Sequence, residues 1–162
     1  MRVWVVVVLV SFVGLPSAAA ATFTFSVTTS SPVTASGITL SGDDQTKTFA
    51  IATSVAYTGS KNTAGWSVDA KATALKSGTH TLPALEVTSG VFVCGSGCTT
   101  PPSNLIGYPI TLTTAAQTIF DADTNTGQGT YAVTNTYQVT YPASAIAGTY
   151  SSTVTLTGST GP

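Results

Sequence analysis

From Tyr131 to Tyr141 the chain alternates with a period of two. Tyr131, Val133, Tyr137, Val139 and Tyr141 fall on one parity, and Ala132, Thr134, Thr136, Gln138 and Thr140 on the other. A large apolar face opposite a small, mostly polar one is the pattern of a half-buried β-strand. Asn135 is the only polar residue on the large face. Pro142 ends the run, because proline cannot donate to a ladder. After a short connection the pattern resumes, with Tyr150, Ser152, Val154 and Leu156 against Ser151, Thr153, Thr155 and Thr157. These two strands either pair with each other or cross between two sheets. The rest of the chain must supply a layer to cover their apolar face.

Upstream, the same period recurs. Phe23, Phe25 and Val27 predict a first strand, closed by Ser31-Pro32. Ile38 and Leu40 predict a short second one, and Phe49, Ile51, Val55 and Tyr57 a long third with Thr53 among them. Gly59 to Gly65 reads as a turn. Trp66, Val68, Ala70, Ala72 and Ala74 make a fourth strand, and Lys76 to Pro83 a loop. Leu85, Val87, Val91 and Val93 give one or two strands around Ser89-Gly90, and Ile110 with Leu112 a short one. Gln117 to Phe120 fits either a strand or a helical turn, and Asp121 to Gly129 reads as loop. No stretch holds a 3.6-residue apolar period with caps. Strands separated by Gly, Pro and Asx turns predict an all-β fold. We expect a single antiparallel β-sandwich of the Ig-like or Greek-key type.

The N-terminus follows other rules. Arg2 precedes an apolar run from Val3 to Leu15, then Pro16 and the small residues Ser17 to Ala21. That order is the pattern of a secretory signal peptide. We therefore expect residues 1–21 to be a leader cleaved after Ala20 or Ala21, and residues 22–162 to form one secreted, extracellular domain. No other apolar stretch is long enough to span a bilayer, so no membrane span is expected in the mature chain. Charged residues make up 7% of the chain, against about 25% in ordinary domains. Without the leader, Lys47, Lys61, Lys71 and Lys76 face six acids and form no basic cluster. That balance argues against nucleic acid and anionic lipid as partners.

Few residues carry recognisable chemistry. Cys94 and Cys98 sit in VFVCGSGCTTPP. In a secreted chain their default is a disulfide, with Gly95 and Gly97 allowing the tight loop. A redox pair or half a zinc site are the alternatives, but His80 is the only nitrogen donor at hand for zinc. Asp121, Asp123 and Asn125 alternate in DADTNTG and resemble a weak calcium loop. The sixth and twelfth positions of a calcium-binding EF-hand are occupied here by Thr126 and Ala132 instead of Gly and Glu. A hydrogen-bonded Asx turn is the other reading of these residues. No Gly-x-Ser-x-Gly elbow occurs, and no carboxylate pair is marked as flanking a cleft. We expect no catalytic activity and no cofactor. Trp66 reads either as core or as a platform for stacking on sugar rings.

The segments AGWSVDAKATAL (Ala64 to Leu75) and AGTYSSTVTLTGSTGP (Ala147 to Pro162) resemble the WxL domain of bacterial surface proteins. The stretch between Phe120 and Tyr150 is similar to the version found in secreted actinobacterial proteins. The first motif reads Trp66-Ser67-Val68, and the second lies near Thr153 to Leu156 without a Trp. The resemblance implies a secreted β-domain held non-covalently to the cell wall. Peptidoglycan or another surface glycan is the implied ligand, other surface proteins are further partners, and Trp66, Val68, Tyr150 and Leu156 are the implied contacts. The alternative is a structural subunit of a surface layer or filament, built by pairing of an exposed edge strand such as Phe23 to Val27.

Overall fold

A computed structural model describes residues 2–9, 22–58 and 64–161. Among them every regular element is a strand. In chain order these are β1 (Arg2–Leu9), β2 (Thr22–Val27), β3 (Val33–Ala35), β4 (Gln45–Thr58), β5 (Trp66–Ala72) and β6 (Lys76–Ser77). There follow β7 (His80–Thr81), β8 (Glu86–Thr100), β9 (Ile110–Thr111), β10 (Gln117–Ala122), β11 (Gln128–Tyr141) and β12 (Thr149–Thr160). They form a β-sandwich. One sheet runs β10-β5-β12-β1-β3, with the small β6–β7 hairpin attached to β12, and the other runs β2-β4-β11-β8-β9.

The alternating runs become the walls of the core. Phe49, Ile51, Thr53, Val55 and Tyr57 of β4 are buried, as are Tyr131, Val133, Asn135, Tyr137, Val139 and Tyr141 of β11. β4 and β11 pair antiparallel over thirteen residues, from Gly129↔Tyr57 to Tyr141↔Gln45. Period two puts every second side chain of this ladder on one face, and that face meets the other sheet. β11 and β12 do not pair: the first lies in the five-stranded sheet and the second in the other. Their connection crosses the sandwich, so both apolar faces point at the same core.

Several boundaries differ from the sequence reading. Ile38 is buried but lies outside any strand, whereas Val33–Ala35 makes the short strand instead. Side-chain burial does not require ladder pairing. Gln117–Ala122 is a strand, which settles the ambiguity there. The loop around His80 contains the two-residue strands β6 and β7. The cysteine loop lies inside β8, which is one continuous strand. Most of the expected Gly59 to Gly65 turn lies outside the described residues.

Asn135 shows how the core handles a polar residue. It is 1% exposed, and its Nδ2 donates to the Ile119 carbonyl at 3.1 Å. The Tyr108 hydroxyl donates to the same oxygen at 2.6 Å. This ties β11 to β10 across the sheets. Asn135→Ala removes the bond and leaves a cavity, so we expect a loss of about 1–3 kcal/mol. An unchanged denaturant midpoint in the variant would contradict this role.

Candidate functional site

The four residues implied as wall contacts are core residues. Trp66 and Val68 are fully buried, and Tyr150 and Leu156 are each 1% exposed. The Trp66 indole Nε1 donates to the Gly127 carbonyl at 2.9 Å. Its ring stacks on Phe120 at 5.8 Å and tilts against Tyr131 at 6.5 Å. The Tyr150 hydroxyl donates to the Ile146 carbonyl at 3.1 Å. Each sits on the inward parity of its strand, where the opposite sheet covers it. As placed, none offers a face to a sugar, and the expectation of a ligand surface built on them is corrected here.

The other candidates divide between local roles. Asp121 lies in β10, and its Oδ1 accepts from the Leu105 amide at 2.9 Å. Asp123 Oδ1 accepts from the Thr124 amide at 2.6 Å, and its carbonyl accepts from Thr126. Asn125 occupies the left-handed region at φ 63°. These contacts describe an Asx-type turn. Among the described residues no group of three or more His, Cys, Asp or Glu is placed to share a metal ion.

Cys94 and Cys98 form a disulfide with Cα atoms 6.1 Å apart. It spans a bulge. β8 takes six steps from Cys94 to Thr100 where β11 takes three from Tyr131 to Gln128. The surplus residues loop outward, and a Cβ at Gly129 would press on the Cys98 backbone at 2.8 Å. The closed loop is short, so replacing both cysteines by serine should cost about 2 kcal/mol or less. A larger drop in thermal midpoint than a few degrees would show that the bridge does more than hold this bulge.

The outer surface offers shallow hydroxyl-lined hollows. One beside β5 and β12 encloses about 210 Å³ between Lys71, Ala72, Thr73, Thr114, Thr153 and Thr155. It holds donors and acceptors suited to a neutral polar ligand, and one cation.

The least ordinary feature is β1. Arg2–Leu9, read in the sequence as part of an export leader, lies in the sheet between β12 and β3. It pairs with β12 over eight residues, from Arg2↔Thr149 to Leu9↔Leu156, and with β3 over three. Its pairing with β12 is parallel, while the other ladders are antiparallel. Val3 and Val5 are fully buried, whereas Trp4 and Val6 are 37% and 44% exposed. Among the described residues β3 pairs with β1 alone. β1 therefore fills an extended slot with a ladder on each side, along β12 and along β3. Sequence reasoning missed it because a run of valines satisfies a leader and a buried strand equally well. The parity of Val3 and Val5 against Arg2 was the one available signal.

No family model matches the chain, and no curated protein matches it in sequence. Among the described residues no helix is long and apolar enough to cross a membrane.

Proposed function

We propose that the protein is an exported structural subunit of the cell surface, and that copies join by strand complementation. One observation carries this reading: a segment with the composition of a cleavable leader fills a slot running eight residues along β12. Cleavage after Ala20 or Ala21 removes that segment. The mature chain then has an unpaired edge along β12, a β3 with no ladder partner, and vacant core positions where Val3 and Val5 stood. Unpaired backbone at the edge of a core is a template for another strand. Core positions left empty cost several kcal/mol unless refilled.

The test is the mass of the protein secreted by its own host. We expect a mature N-terminus at Ala21 or Thr22 and a species larger than one chain, by N-terminal sequencing and light scattering. A mature chain that is monomeric at high concentration overturns the reading. So does a secreted monomer that still begins at Met1.

Association with wall glycan is a second role, supported by the WxL resemblance and by the hydroxyl-lined hollow at Thr73, Thr153 and Thr155. With so few charges, retention on isolated walls should change little between low and high salt.

A further inference from the structure

The slot selects its occupant by geometry, and we propose that in the mature protein it is filled by β2 of a second copy. This rests on the assembly reading above and names its partner strand.

A strand that enters between two others must bring both of its own edges unpaired. A strand inside a sheet cannot do so without dissolving that sheet, so the donor must be a terminal segment. In the mature chain the N-terminal segment is β2. Among the described residues it is the edge strand of its sheet and pairs with β4 alone, over the six residues from Thr22↔Thr58 to Val27↔Thr53. Releasing it opens one ladder and lifts Phe25 from the core, where its ring lies against Gly158. Entering the slot makes two, since the slot gave β1 eight partners on β12 and three on β3. The exchange therefore gains backbone pairs instead of conserving them.

The side chains agree with this choice. The inward positions of the slot hold Val3 and Val5, both apolar and separated by one outward residue. β2 carries Phe23, Phe25 and Val27 at the same period, with Thr24 and Ser26 exposed between them. Phenyl rings are larger than valine, and overfilling a core is costly. The register gives each one small neighbour: Val3 stands between Ala35 and Tyr150, and Val5 between Ser152 and Val33, so room for a ring lies on the Ala35 and Ser152 sides. β2 also leaves its outer face lined by hydroxyls, where β1 exposes Trp4 and Val6. A second copy's β2 is thus a better surface than the leader it replaces.

The two parts of this contact, donor strand and slot, are different surfaces of the same chain. Such a contact is heterologous, and repeated from copy to copy it yields an open, directional chain unless the rotation happens to close a ring.

The experiment uses the secreted mature protein and a synthetic peptide spanning Ala21 to Thr29. Excess peptide added during refolding should occupy the slot. Native mass spectrometry should then show single chains each carrying one peptide, with larger species lost. A peptide with Phe25→Asp should not bind. Hydrogen exchange should show protection of the β12 amides from Tyr150 to Leu156 in the assembled and the peptide-bound forms alike. If larger species persist, the peptide does not bind, and these amides are protected, the donor is another segment and only the identity of the strand is wrong. If the mature protein is a monomer without peptide, the assembly reading falls as well. The Phe25→Asp chain is a second variant: loss of assembly with the slot still accepting wild-type peptide supports the proposal. If that variant fails to fold, peptide competition on the wild type still decides.

Discussion

Trp66→Ala should destabilise the domain by about 3–5 kcal/mol, the range for truncating a large aromatic in a packed core. Trp66 is fully buried, stacked on Phe120, and hydrogen-bonded to the Gly127 carbonyl. Removing it opens a cavity among Phe120, Tyr131 and Ala122, and strips a partner from the loop that joins β10 to β11. A domain of this size has only about 5–15 kcal/mol of stability in total, so the variant should be partly unfolded near physiological temperature. Guanidinium unfolding followed by circular dichroism measures the change. Trp66→Phe keeps most of the contact and should lose less. A Trp66→Ala protein that folds with an unchanged midpoint, and loses only retention on walls, would restore the sugar-platform reading.

Gly127→Ala should cost about 3 kcal/mol, from two sources. Gly127 has φ +69°, a conformation that strains residues with a Cβ. An added Cβ would also collide with the Trp66 indole nitrogen and come within 2.6 Å of the Ala122 Cβ. Overpacking of this kind costs about 1–3 kcal/mol. The two effects separate in a double-mutant cycle, because Trp66→Phe removes the clashing nitrogen but not the backbone strain. The combined variant should therefore lose less than the sum of the single losses. Strict additivity would mean that the indole is not what the methyl group meets.

These two sites show what could be read from the chain alone. Parity was legible wherever a strand has one face in the core, as along Phe49 to Tyr57, Tyr131 to Tyr141 and Tyr150 to Leu156. The lone polar Asn135 on such a face was legible as a buried amide that needs a partner. Parity reports which face a residue takes, but not which strand lies beside it. For that reason the crossing from β11 to β12 stayed open between two arrangements. It also fails where a bulge adds residues, so β8 read as one or two strands followed by a loop. The role of Trp66 depends on Phe120, Tyr131 and Gly127, more than fifty residues away, and no local pattern announces them. Arg2 to Leu9 hid its pairing because one apolar run meets two different demands.

The bulge closed by Cys94 and Cys98 has a further consequence. Beyond Glu86 and Val87, which β9 covers, the outer side of β8 runs past Val91, Phe92 and Val93 without another paired strand among the described residues. A flat edge with those side chains would zip laterally onto its neighbours. Surplus residues bend a strand and increase its twist, which spoils it as a template. The bridge clamps that bend a few residues along the same edge. If copies join end to end through the slot as proposed, this bend would keep them from also fusing side by side, so growth would be confined to a thread and would not spread into a mat.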